Sequence, residues 1–144
     1  MNPKKNKNRK PGKGRLLIFS LVFLSVCIAF NAEAQKSSWV VPASAAHVKN
    51  PLAGNTSVLG DAKVLYVGNC APCHGKGGKG NGPAAAALKI KPADHTSAKI
   101  QSMSDGSLYW MIATGQTPMP SYKTALTTKQ KWELVNYIRT LAKK

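Results

Sequence analysis

Cysteine is scarce in this chain, with three in 144 residues, and acidic side chains are scarcer still against basic ones, five Asp and Glu facing 21 Lys and Arg. So few cysteines exclude a disulfide-stapled scaffold. Cys27 falls inside an apolar run near the N-terminus, which leaves Cys70 and Cys73 as the only cysteines of the remaining chain. Histidine is equally thin. Apart from His74, which follows Cys73 directly, only His47 and His95 are present, far apart, so a structural zinc site has no second ligand pair at the required spacing. The longest apolar run, Leu16 to Phe30, holds 15 residues including Ser20 and Ser25. That is short of the roughly 20 residues that span a bilayer. Internal repeats, a twin arginine and convincing strand patterns are all missing, and the lysines are scattered without the aromatic interleaving that marks a nucleic-acid surface.

What is present begins with a leader. Seven basic residues within the first 15 precede the apolar run, and Ala32-Glu33-Ala34 follows it. This order predicts a secretory signal over residues 1–34 with cleavage after Ala34, and a retained membrane anchor over residues 16–30 is the alternative. The expected location is periplasmic, with inner-membrane attachment if the leader stays. Residues 35–144 then form one small domain with 14 Lys and Arg against four Asp and Glu, a formal net charge of +10. Such a surface suits partners with acidic docking faces, and nucleic acid is not expected.

Cys70-Ala71-Pro72-Cys73-His74 carries the chemistry. Two cysteines two residues apart, followed at once by histidine, form the attachment signature of c-type haem: two thiols for the two vinyl groups, and an imidazole presented to the iron. A dithiol of the thioredoxin kind is the rival, but that motif sits where a strand meets a helix, and neither flank here reads as strand. The expected cofactor is therefore one covalently bound haem c, with Cys70 and Cys73 as thioether anchors and His74 as axial ligand. Gly75 to Gly80 matches G-x-G-x-x-G by letter, yet it follows no strand and opens no helix, so a dinucleotide role is set aside.

A second axial ligand decides between electron transfer and an open, reactive iron. Met119, between Pro118 and Pro120 and 45 residues beyond His74, is the choice, because the two prolines stiffen a non-helical loop around a soft thioether. His95 and His47 offer a bis-histidine alternative, and an open site is the third. As His95 stands in a lysine-bearing loop and His47 in the N-terminal arm, both are expected to be solvated. Met103 and Met111 read as core filler, and Tyr109, Trp110, Tyr122, Trp132 and Tyr137 as core aromatics.

The periodicity predicts an all-α domain over residues 57–144, preceded by an extended arm or linker over 35–56. One helix runs from about Ser57 to Asn69, a short alanine-rich turn lies within Pro83 to Leu88, and a helix capped by Ser104 or Asp105 ends at Gly115. The last helix opens on the capping box Thr127 to Gln130 and sets Trp132, Leu134, Val135, Tyr137, Ile138 and Leu141 against a polar side of Lys131, Glu133, Asn136 and Arg139.

In these features the chain resembles the class I cytochrome c family, in its small bacterial mono-haem branch. The resemblance rests on Leu65-Tyr66-x-x-Asn69 leading into the haem motif, Gly80-Asn81-Gly82-Pro83, Pro118-Met119-Pro120, and the terminal Trp132 to Ile138, and it spans residues 58–142. It implies a compact fold of three to five helices around one haem, with Ala62 and Tyr66 of the first helix meeting Leu134 and Tyr137 of the last. It also implies His74 and Met119 as the ligands of the haem iron. The expected function is single-electron transfer between respiratory redox partners, an oxidase, a reductase or a quinol-oxidising complex. The alternatives are a membrane-anchored subunit of such a complex and a haem enzyme with an open sixth position.

Overall fold

The computed structural model describes residues 39–142, all within the second of two units, residues 37–144. The expected signal segment lies outside the described residues. Among the described residues six α-helices appear in the order α1 (Ala43–Ala46), α2 (Leu59–Asn69), α3 (Ala71–His74), α4 (Ala98–Gln101), α5 (Asp105–Thr114) and α6 (Thr128–Thr140), with a 3-10 turn at Ala85–Ala87 between α3 and α4. Three of the six are single turns of four residues, which raises the count above the long helices that periodicity reveals. Among the described residues no strand forms, and none of the helices is long and apolar enough to cross a membrane. The domain is all-α, as expected.

Local chemistry sets the helix ends. Ser104 caps α5, its Oγ accepting the Ser107 N–H at 3.1 Å, and Gly115 stops the helix at φ +66°, a conformation that a Cβ would strain. Thr127 and Gln130 form the capping box of α6 in both directions, Gln130 N–H to Thr127 Oγ1 at 3.2 Å and Thr127 N–H to Gln130 Oε1 at 2.9 Å.

The core lies where α2 and α6 pack together. Tyr66 and Leu134 are fully buried, as is Ala62, and the Tyr66 and Tyr137 rings meet at 4.9 Å. Leu108 and Ile112 of α5 join the same cluster with Trp132, Val135 and Ile138. Burying each of the larger aliphatic side chains contributes about 1.5–3 kcal/mol.

The side of α6 expected to be polar and open is in fact covered. Lys131, Glu133 and Asn136 are all buried. Lys131 Nζ donates to the carbonyls of Lys123 and Leu126 at 3.1 and 3.0 Å and sits over the Tyr109 ring. Glu133 pairs with Lys129 one turn earlier, and Asn136 Nδ2 donates to Leu52 O at 2.6 Å. The covering segments lie outside the helix, the 123–126 loop just before it and the N-terminal stretch around Leu52, which is why helical periodicity alone misses them.

One of those segments is the stretch read as an extended arm. From Trp39 onward it is docked rather than free. Trp39 meets Trp110 edge-on, α1 packs on α5, and Asn50 Nδ2 donates both to Asp105 Oδ2 and to Asn136 Oδ1 at 2.8 Å. Asn50 Oδ1 in turn accepts the Leu52 N–H.

Candidate haem-binding site

α2 ends where the motif begins. Cys70 is the joint that closes α2 and opens α3, so Cys70, Cys73 and His74 are all presented by one short turn. Both cysteines are half-buried free thiols. Burial, reinforced by neighbouring Cys73, pushes the Cys70 thiol up to about 12. A reactive dithiol needs the opposite shift, toward thiolate, and among the described residues no strand precedes the motif. Among the described residues no group of three His, Cys, Asp or Glu side chains is gathered as a metal site, so the zinc alternative lacks a ligand set.

The glycine-rich loop after the motif folds back on it. Gly80 N–H donates to His74 O, Gly82 N–H to Cys73 O and Ala84 N–H to Pro72 O, at 2.8 to 3.0 Å. A Cβ on Gly82 would lie 2.3 Å from the Pro72 oxygen and 2.4 Å from that of Ala71. The glycines here allow backbone to pack on backbone.

His74 is oriented by a residue that sequence reasoning missed. Its Nδ1–H donates to the backbone carbonyl of Ala93 at 2.9 Å, which assigns the proton to Nδ1 and leaves the Nε2 lone pair free for a metal. Burial lowers the His74 pKa, and the Ala93 bond opposes that shift. The neutral imidazole that ligation requires is therefore the favoured form. A backbone acceptor leaves no mark in a sequence, so nothing in the residue string flags Ala93.

Met119 is half-buried against the hydrophobic core in a loop laced at both ends. Gln116 and Met119 exchange two backbone hydrogen bonds around a turn containing the cis Thr117–Pro118 peptide. Ser121 Oγ donates to Ala113 O at 2.7 Å, and Tyr122 N–H to Ile112 O at 3.1 Å. The Tyr122 hydroxyl then reaches α2, donating to Asn69 O at 2.8 Å, next to Cys70. Burial raises the Tyr122 phenol, and Cys70 and Cys73 add to that shift. A cavity of about 310 Å³ lined by Ala87, Leu88, Lys89, Ile90, Thr117 and Pro118 adjoins the same loop.

Of the remaining expectations, His47 is exposed. His95 is not solvated. It is 9% exposed and stacks on His74 with ring centroids 4.0 Å apart and planes 18° from parallel. Burial, joined by His74 and opposed by Asp94, holds it down to about 3. Two imidazoles stacked face to face lie on one side of any iron that His74 binds, so His95 cannot supply the opposite ligand. Lys76, Lys79, Lys89, Lys91 and Lys123 are all exposed.

The donor set fits haem c. Two thiols and a nitrogen donor with a free lone pair stand on one turn, a thioether stands in a loop tied to that turn, and a largely apolar cavity lies alongside. Fold and site together define a c-type cytochrome, a haem protein of electron transfer. A profile of the family described as "Cytochrome C oxidase, cbb3-type, subunit III" matches residues 59–138, more than half of the chain, and the chain belongs to that family of class I c-type cytochrome domains. A chain from the solved "Kuenenia stuttgartiensis reducing HAO-like protein complex Kustc0457/Kustc0458" is similar to it at 32% identity and TM-score 0.59. The match covers 65% of the present chain and 47% of that one, about half its length. No curated protein matches the sequence significantly.

Proposed function

We propose that the protein is a periplasmic carrier of single electrons. It would hold one haem c, joined covalently through Cys70 and Cys73 and ligated by His74 and Met119. The observation that supports this reading best is the shared anchorage of the two ligand loops. Ala93 fixes His74 from one side, and Tyr122 ties the Met119 loop to the residue preceding Cys70. When bound, the haem supplies reversible one-electron chemistry at its iron.

The protein's own residues determine what that chemistry is used for. His74, held by its Nδ1–H bond, offers a nitrogen of fixed tautomer. Met119 offers a soft sulfur that favours the reduced metal and raises the potential. Were His74 and Met119 both to hold the iron, no position would be left for a substrate, which favours a carrier over an enzyme. The exposed lysines at positions 76, 79, 89, 91 and 123 supply the positive face on which an acidic redox partner would dock.

The test is the rate of reduction by an acidic redox partner as salt rises. Steering predicts a fall of about tenfold between low and physiological ionic strength, and a flat response removes the steering claim. A second reading, a redox subunit fixed in a larger assembly, is favoured by the family's description and by the similar chain's place in a complex. The mature N-terminus separates the two. Gln35 supports the mobile carrier, and Met1 or Asn2 supports an anchored subunit.

A further inference from the structure

His95, expected to be solvated, is buried instead, and its surroundings are built rather than incidental. The backbone of His95 is held at both polar groups: its N–H donates to Gly78 O at 2.7 Å, and its carbonyl accepts from Gln101 Nε2 at 2.7 Å. The same Gln101 amide also donates to Ile138 O on α6, so His95 is stapled to the last helix. Its ring is held twice as well. One face lies on His74, and Nδ1 shares a 2.9 Å hydrogen bond with the hydroxyl of Tyr66, which is fully buried. Without that partner the buried ring nitrogen would be left unpaired, so the Tyr66 hydroxyl both satisfies the ring and fixes its orientation.

His74 itself is constrained at only one point of its ring by Ala93. A single hydrogen bond at Nδ1 fixes the tautomer and the direction of Nε2, but it leaves the ring plane free to swing about the line joining the two. A flat ring packed against the imidazole face removes that freedom.

We propose that His95 is a positioning residue. Stacked on His74 and locked by Tyr66, it sets the ring plane of the axial histidine. This rests on His74 being the iron ligand. The ring plane governs how the imidazole π orbitals overlap with the iron d orbitals. The proposal therefore concerns the electronic asymmetry of the oxidised centre and not merely packing.

The test compares the haem-loaded protein with His95→Phe, His95→Leu and Tyr66→Phe. Each is first checked by mass for attached haem and by absorption for low-spin iron. Low-spin iron in all four preserves the ligand reading. A wild type without it overturns that reading itself. Among low-spin samples the readout is the electron paramagnetic resonance spectrum of the oxidised form. His95→Leu should shift the largest g value and broaden the line, because an aliphatic side chain fills the space without holding a plane. His95→Phe, which keeps a flat face, should lie nearer wild type. Tyr66→Phe should shift in the same direction as His95→Leu, by less. Identical g values and linewidths in wild type and His95→Leu would overturn the proposal and leave His95 as filler.

Discussion

Tyr122→Phe isolates one bond that joins the two halves of the haem site. The phenol donates to Asn69 O at 2.8 Å across 53 residues of chain, and it is the described link from the Met119 loop to the end of α2. The bond is half-exposed, and Asn69 O regains water when the loop lifts. The net loss is therefore that of a neutral hydrogen bond, about 1 kcal/mol. If the loop must lift for Met119 to leave the iron, the open population rises by the same free energy, about fivefold. An external ligand such as imidazole competes only with the open form, so its apparent affinity should rise by that factor. The assay is a spectroscopic imidazole titration of the oxidised protein. Ser102→Ala, which loses a hydrogen bond to Lys99 O at the far end of α4, is the control and should change nothing. An unchanged affinity in Tyr122→Phe, at normal haem content, would refute the idea that this tie holds the loop closed.

Gly82→Ala should drive the glycine loop off the Ala71 and Pro72 carbonyls, costing about 1–3 kcal/mol by overpacking; a urea midpoint equal to wild type contradicts this. Asn50→Ala removes three hydrogen bonds that dock the N-terminal stretch. It should cost about 2 kcal/mol and open residues 39–56 to protease, and unchanged cleavage would show that the docking rests on other contacts. Burial, helped by Cys70 and Tyr137, raises the Tyr66 phenol above its ordinary 10.0. Because the folded value is the higher one, this contribution is complete below pH 10 and is lost as pH climbs toward the folded value. Unfolding curves above pH 10 should therefore show a loss of stability that is smaller in Tyr66→Phe.

Much of this molecule can be read from the residue string, because the signals are local. The cap residues Ser104 and Thr127 act within three positions of themselves, Gly115 stops its helix by its own backbone angle, and the haem motif occupies five consecutive residues. The α2 to α6 crossing was legible for a different reason, since it follows from a family resemblance that the tilted Tyr66–Tyr137 ring contact supports. What stayed hidden depends on chain outside the element itself. Lys131 and Asn136 look like a solvated face until the 123–126 loop and the N-terminal stretch bond to them. His95 sits between polar neighbours, and only the return of the glycine loop and the proximity of α2 bury it. Ala93 acts through a carbonyl that every residue possesses.

The central claim is that His74 and Met119 hold one haem iron between them. It is tested most directly by the visible and near-infrared absorption of the haem-loaded protein, oxidised and reduced, in wild type and Met119→Ala. The account predicts a low-spin c-type spectrum with a sulfur-to-iron band in the oxidised wild type, and loss of that band in Met119→Ala with the haem still attached. High-spin iron in the wild type, or a band that survives the substitution, would contradict it.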